Sequence, residues 1–204
     1  MAPIEKSFRT AWPEARTFNI LDESLYADVG EDGDIPPSIM PRLTSLLRHC
    51  ELSEADGVLF TGSTFGPAVE EARRQATIPV LKSDEAVAER AVGMGEKILL
   101  MCTAQRSAPV VLANIKAAAK AASVQRQIDW MVVPGAKEAI SRGDISEHDR
   151  LIAEAAAGAK EFDVIVFGQF SMAAARDNLP AALAKRVLTS AESAALKMRS
   201  MVER

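Results

Sequence analysis

Short apolar runs alternate with longer amphipathic stretches along the chain. The apolar runs are compact, often β-branched and nearly uninterrupted, which is typical of strands covered on both faces. The predicted strands are residues 17–21, 57–61, 78–81, 97–103, 128–133, 163–168 and 186–188. The predicted helices are residues 3–12, 37–50, 67–75, 83–92, 107–122, 146–160 and 191–202. This alternation predicts parallel strands with helices on both faces, where ligands bind at the carboxyl ends of the strands.

An internal repeat divides the chain into two halves. Asp56 and Asp163, which lie 107 positions apart, each precede a short apolar strand. The same offset matches Phe60 with Phe167, Val80 and Leu81 with Val187 and Leu188, Ser83 with Ser190, and Glu85 with Glu192. We interpret the halves as two pseudo-symmetric, doubly wound parallel-sheet α/β lobes with a cleft between them. Residues 1–95 form the predicted first lobe and 96–190 the second, and the C-terminal helix, 191–204, is expected to pack on the first.

The repeat also shows a gap in the first lobe. The second half opens with a strand, 97–103, but the first half opens with the helix that begins near Pro3. The equivalent first strand would lie about ten residues upstream of Met1, and such a strand is usually central in a doubly wound sheet. We therefore expect the first strand of lobe 1 to be missing and Met1 to be an internal methionine of a longer natural chain. The alternative is a fold that dispenses with this strand.

Composition and charge exclude several classes of protein. The 204 residues are 48% hydrophobic and 25% charged, as in soluble globular proteins. A net charge of −4 without a basic stretch, and 5% aromatic residues, argue against a nucleic-acid partner. No apolar run approaches the ~18 residues that cross a bilayer, and two cysteines suggest a reducing cytoplasm. The two histidines have no neighbouring constellation that predicts a metal site.

Two strand ends carry the candidate chemistry. Residues 58–67 and 165–173 each end an apolar strand with small or hydroxyl residues and then enter a helix. Backbone N–H groups at such junctions hold small anions, carboxylates among them. The hydroxyls that would add donors are those of Thr61, Ser63, Thr64 and Ser171. Ordinary N-capping explains either loop alone, but two loops at equivalent positions of a repeat favour a binding site.

Three phrases of the sequence resemble a known family. They are Phe-Thr-Gly-Ser-Thr-Phe-Gly-Pro-Ala-Val-Glu, Ile-Pro-Val-Leu-Lys-Ser-Asp-Glu-Ala and Val-Phe-Gly-Gln-Phe-Ser-Met-Ala. Together they resemble the aspartate/glutamate/hydantoin racemase superfamily, and in particular a branch described as Asp/Glu racemase-like, over residues 19–190. The resemblance implies two α/β lobes facing each other across a carboxylate-binding cleft, and chemistry without a cofactor.

The resemblance also implies a cysteine in each lobe, and this chain lacks both. In the superfamily's racemases one thiolate removes the proton from the substrate's Cα and the opposite thiol returns one. The two expected positions are occupied by Gly62 and Gln169, so the two-thiol mechanism does not carry over. Cys50 is predicted to be structural. Cys102 is predicted to be a buried, inert thiol, next to Thr103, which matches a position that binds the substrate carboxylate.

Other polar groups are candidates for the missing chemistry. Lys82 follows a predicted strand, and it could bind a substrate carboxylate or form a proton-transfer pair with Glu85 if burial shifts their pKa values. The alternative is a solvated lysine beside a first-turn glutamate, which helices favour anyway. Tyr26, the only tyrosine, could cover the cleft or simply pack in its loop.

The sequence, together with what the resemblance implies, predicts a cytoplasmic, cofactor-independent, Asp/Glu racemase-like isomerase that acts at the carbon next to a carboxylate of a small acid. The alternatives are a non-catalytic carboxylate binder and a decarboxylase or hydrolase using the same cleft. The expected catalytic residues are Lys82 and Glu85. The expected substrate-binding residues are Thr61, Gly62, Ser63, Thr64, Thr103, Gln169, Phe170 and Ser171. We expect a small carboxylate as partner, with no metal, cofactor, nucleic acid or membrane, and homo-oligomerisation is left open.

Overall fold

Two parallel sheets form the framework of the computed structural model, which describes residues 2–30 and 34–203. The strands are β1 (Val58–Phe60), β2 (Val80–Lys82), β3 (Lys97–Cys102), β4 (Gln127–Val132), β5 (Val164–Phe167) and β6 (Val187–Thr189). β1 pairs with β2 in one sheet, and the other sheet has the order β4-β3-β5-β6. Met1 lies outside the described residues, so the expectation about it stays a prediction.

Helices surround both sheets. They are α1 (Ala2–Ala11), α2 (Ser24–Ala27), α3 (Ile39–Leu52), α4 (Gly66–Arg73), α5 (Glu85–Met94), α6 (Ala108–Ala121), α7 (Ala136–Ser141), α8 (Ile145–Gly158), α9 (Ala181–Ala184) and α10 (Ser190–Val202). The fold class is therefore the predicted one, α/β with parallel strands covered by helices. The short helices α2, α7 and α9 were not predicted. In the described part of the chain, no helix is long and apolar enough to span a membrane.

The strand pairs of the two lobes have the same register. Val58 lies opposite Val80 in the first sheet, and Ile165 lies opposite Val187 in the second. Ile165 and Val187 are each 107 positions after Val58 and Val80, and this is the offset of the sequence repeat. The repeat therefore extends from residue identities to the hydrogen-bonded pairing of the strands.

Helix α5 follows β2 and helix α10 follows β6, and each packs on the opposite lobe. Residues of α5 lie in the core of the four-stranded sheet, and residues of α10 lie in a core with α1 and β2. Two ion pairs between α5 and α10 are reciprocal: Glu85 contacts Lys197 at 3.1 Å, and Glu192 contacts Arg90 at 3.4 Å. Glu85 and Glu192 are repeat mates, and so are Arg90 and Lys197. A two-fold axis between α5 and α10 would produce this pattern, because each contact then occurs twice.

The predicted strand 17–21 is wrong. This segment has no strand partner and no helical structure. Its apolar side chains face solvent: Phe18 is 81% exposed and Leu21 is 70% exposed. The local pattern is that of a strand, but a strand exists only where a neighbour accepts its backbone hydrogen bonds.

Candidate active site

Three strand ends share one local geometry. After β1, β3 and β5, two residues lead into a 3₁₀ turn; these turns are Ser63–Phe65, Gln105–Ser107 and Phe170–Asn178. The residue just before each turn has an extended backbone, with φ of −99° at Gly62, −126° at Ala104 and −133° at Gln169. Gly62 and Gln169 therefore occupy the same place in the two lobes, as the repeat requires.

In the second lobe the strand ends are joined through Gln169. The amide oxygen of Gln169 accepts hydrogen bonds from the backbone N–H of Thr103 at 2.6 Å and from the Thr103 hydroxyl at 2.9 Å. Thr103 is only 5% exposed, so the contact is shielded from water. Gly168 allows the ends of β5 and β3 to lie this close together, because a Cβ at this position would lie 2.9 Å from the Cys102 sulfur. The structure therefore brings together the two residues that sequence reasoning placed on separate loops.

In the first lobe the equivalent position carries no side chain, and a tyrosine fills the space. A Cβ built on Gly62 would lie 2.6 Å from the hydroxyl oxygen of Tyr26 and 3.2 Å from the ring of Phe65. The two rings contact edge to face, with centroids 4.9 Å apart. Burial raises the pKa of Tyr26 above its ordinary value. Tyr26 is thus a direct neighbour of Gly62.

The remaining predicted binding residues differ in exposure. Thr61 and Ser171 are exposed, and Ser63 and Thr64 are half-buried beside Gly62. Phe170 packs against the core that contains Leu81 and residues of α1. The three hydroxyls of the first loop, together with Ser171, therefore remain available to a ligand, whereas much of the Phe170 ring is used in packing.

The two predicted catalytic residues are engaged in ion pairs with other side chains. The Lys82 ammonium lies 2.9 Å from Glu70, and Glu85 contacts Arg73 at 2.8 Å as well as Lys197. Burial tends to raise the pKa of Glu85, but Lys197 and Arg73 together hold it below its usual range. Glu85 is thus an ionised member of an inter-helix network. The described contacts link it to Lys82 only indirectly, through Arg73 and Glu70.

A buried carboxyl at the end of β2 was missed by the sequence reasoning. Asp84 is 3% exposed and accepts a 2.7 Å hydrogen bond from the amide of Asn114 on α6. Burial raises the pKa of Asp84, although the Asn114 contact opposes this. Because α6 belongs to the second lobe, this bond ties the lobes together near the strand ends. Its position in the first turn of the predicted helix 83–92, close to the end of a predicted strand, was the signal that could have identified it.

A second missed group is the buried pair His148 and Asp149. The imidazole Nδ1 lies 2.7 Å from an Asp149 oxygen, and the side chain is 1% exposed. Its Nε2 has no hydrogen-bond partner among the described residues. His148 lies in the first turn of α8, which precedes β5 and therefore begins on the side where the strands end.

Neither cysteine is placed to replace the expected thiols. Cys102 is fully buried in the core of the second lobe, and burial raises its pKa to about 12. Cys50 is half-buried in α3, and burial raises its pKa as well. Within residues 2–30 and 34–203, no cluster of three His, Cys, Asp or Glu side chains is arranged to hold a metal ion.

Comparisons with solved structures agree with this architecture. An aspartate racemase homologue from Pyrococcus horikoshii is 14% identical with a TM-score of 0.70, over 100% of this chain and 93% of its own. A glutamate racemase from Bacillus anthracis is 11% identical with a TM-score of 0.67, over 99% and 77%. A glycine-to-cysteine variant of arylmalonate decarboxylase is 16% identical with a TM-score of 0.62, over 95% and 85%. At these identities the likeness shows the fold alone.

Sequence comparison gives the family. No curated protein matched the chain. The family model for Asp/Glu/hydantoin racemases, however, matches residues 4–198, which include both sheets, both equivalent loops and the larger part of α10. A match over this length, on a chain with paired strand-end loops and a racemase-like fold, leads to one conclusion: the chain belongs to the Asp/Glu/hydantoin racemase family.

Proposed function

We infer that the chain is a cofactor-independent isomerase acting at the carbon next to a carboxylate of a small amino acid or related acid. The observation that carries this proposal is the state of the Gln169 side chain. Its oxygen is occupied by both donors of Thr103, which leaves the amide nitrogen, a donor, for a ligand. A donor amide at one strand end, with the hydroxyls of Ser63, Thr64 and Ser171 on the two equivalent loops, suits a carboxylate.

Substitution of Gln169 tests the binding part of the proposal. Gln169→Glu keeps the size and the oxygen that Thr103 binds, but it replaces the donor with a like charge for the substrate carboxylate. We expect KM to rise at least ~10-fold, since electrostatic repulsion and a lost charge-assisted hydrogen bond each cost about 1–3 kcal/mol. The matched control is Gln75→Glu, which makes the same change at an exposed position.

The reaction itself is tested by isotope exchange. The protein is incubated in deuterated water with aspartate, glutamate, hydantoins and substituted malonates, and deuterium at Cα is followed by NMR. Exchange at Cα of a chiral acid supports the isomerase. A ligand-induced rise in Tm without exchange or turnover contradicts it and identifies a non-catalytic binder. Exchange that is lost in Lys82→Ala would assign the predicted catalytic role to Lys82 in spite of its ion pair with Glu70.

Decarboxylation is the second candidate. An isomerase needs a proton acceptor and a proton donor on opposite faces of the carbon, whereas a decarboxylase needs only one donor after CO2 leaves. Gln169 has no titratable proton, and this observation favours one-sided chemistry. Release of CO2 from a substituted malonate, with no exchange at Cα of amino acids, would replace the isomerase by the decarboxylase.

A further inference from the structure

The space beside Gly62 is already occupied by a hydroxyl group. A Cβ on residue 62 would lie 2.6 Å from the Tyr26 oxygen and 3.5 Å from the ring carbon that bears it. Real Cβ atoms do not approach an oxygen so closely, so a side chain at position 62 and the Tyr26 hydroxyl exclude each other. The hydroxyl therefore stands where the first atoms of a cysteine at this position would be.

The short helix α2, which carries Tyr26, is fixed from several sides. The neighbouring Leu25 is buried in the core formed by α3 and α4. Arg42 of α3 binds Asp22 at 2.8 Å and also binds Asp28, so it holds the chain on both sides of Tyr26. The Tyr26 ring itself rests edge-on against Phe65. A polar group held in this way needs little reorganisation to act on a ligand.

We propose that Tyr26 is the proton donor of the first lobe, delivering the proton of its hydroxyl to the substrate carbon from the position where the resemblance implies a thiol. This inference rests on the proposed function, because it requires a carbanion next to a carboxylate. Tyr26 is a titratable side chain that touches position 62, and it is 54% exposed, so a ligand can reach it.

The chemistry of a phenol suits this role. When a general base takes the Cα proton, or when the bond to the leaving carboxylate breaks and CO2 departs, the electron pair of the broken bond remains on the carbon next to the carboxylate. That pair forms the new C–H bond, the O–H bond of Tyr26 breaks, and the resulting phenolate takes a proton from water. Burial raises the pKa of Tyr26, so the hydroxyl is protonated at neutral pH and ready to donate. The carbanion is the conjugate base of a far weaker acid than the phenol, so this proton transfer is downhill.

Removal of a single oxygen atom tests the inference. Tyr26→Phe keeps the ring against Phe65 and deletes only the hydroxyl. We expect kcat for deuterium incorporation, or for protonation after decarboxylation, to fall about 10²-fold or more, with KM little changed, since general acids contribute about that much. Far-UV circular dichroism and Tm confirm that the variant is folded.

A rescue variant distinguishes a donor from a structural residue. Tyr26→Phe combined with Gly62→Cys places a thiol at the vacated position and is expected to recover at least ~10-fold of the lost rate. Gly62→Ala, which displaces the hydroxyl without supplying a proton, is expected to lose activity. Wild-type turnover in Tyr26→Phe would overturn the inference and leave the proposed function standing. An absence of turnover by the wild-type chain on every compound of the panel would overturn both.

Discussion

Strands β1 and β5 are the same element of the repeat in two different surroundings. β5 lies between β3 and β6, and all four of its residues are buried. β1 has β2 on one side only, within the described residues, and its three residues are half-buried. The two strands have nearly the same sequence pattern and the same register to their partners. The difference in burial therefore comes from the neighbours and not from the strand itself.

The largest expected effect on stability concerns the two phenylalanines that occupy equivalent positions of the repeat. Phe167 is completely buried, whereas its mate Phe60 is half-buried. Phe167→Ala is expected to lower the free energy of unfolding by about 3–5 kcal/mol, because it leaves a large cavity. Phe60→Ala is expected to cost roughly half of that or less. Urea titration measures both, and equal losses would show that β1 is as well covered as β5.

A smaller effect is expected at the threonines that follow β1 and β3. Thr103 donates its hydroxyl to Gln169 in a nearly buried site, whereas Thr61 is exposed. Thr103→Val removes this donor while retaining the shape of the side chain, and is expected to cost about 1 kcal/mol of stability. Thr61→Val, the same change in the first lobe, is expected to shift Tm by less than about 1 °C. A larger loss at Thr61 would contradict this account of the first loop.

The acidic residues that open β1 and β5 provide a pH-dependent comparison. Backbone N–H groups of Lys97 and Glu96 hold the pKa of Asp163 below its usual value. Its carboxylate therefore stabilises the fold above the unfolded-state pKa of about 3.9 and loses this effect as pH falls through the folded-state pKa. Asp163→Ala is expected to lower Tm at pH 7, and the deficit is expected to shrink between about pH 5 and pH 2.

The control for that prediction is the repeat mate. Asp56 is exposed and makes no side-chain hydrogen bond among the described contacts, so Asp56→Ala is expected to leave Tm unchanged at every pH. A deficit for Asp163→Ala that stays constant down to pH 2 would show that the backbone contacts are not its cause.

The reactivity of the two cysteine thiols can be compared without any substitution in the protein. Cys50 of the first lobe is half-buried, and Cys102 of the second is fully buried with its pKa raised to about 12. A thiol reagent at pH 8 is expected to modify only Cys50 in the native protein. Cys102 is expected to react only after denaturation. Rapid modification of both thiols would mean that the core around β3 opens readily.

Local sequence patterns predicted six of the strands, because each one lies beside a partner that the same pattern supplies. They failed at residues 17–21, where the alternation is right but no neighbouring strand accepts the hydrogen bonds. The reciprocal packing of α5 and α10 was not predicted. The expectation placed the C-terminal helix on the first lobe, but a repeat offset alone does not show that α5 crosses in the opposite direction.

The sequence predicted that the candidate residues follow strand ends, but it did not predict their contacts. Gly62 and Gln169 were identified from the repeat offset and from the resemblance. Both of these can be read from the amino-acid sequence without a structure. The contact between Tyr26 and Gly62 joins residues 36 positions apart through the packing of α2 on α3, and no pattern encodes it. Lys82 and Glu85 are three residues apart, yet their ion pairs reach Glu70 and Lys197, because side-chain direction at a strand-to-helix junction depends on tertiary packing.

The reciprocal ion pairs between α5 and α10 have a consequence for how the two halves can change. In a symmetric dimer of identical half-length chains, one substitution would alter both contacts at once. Within a single chain the two positions mutate independently, so each contact can be adjusted without its mate. The chain has lysine at one cation position and arginine at the other, each opposite a glutamate, so the two contacts already differ in side-chain chemistry. The covalent link between the halves thus releases the interface from the constraint of symmetry while its geometry retains the symmetric form.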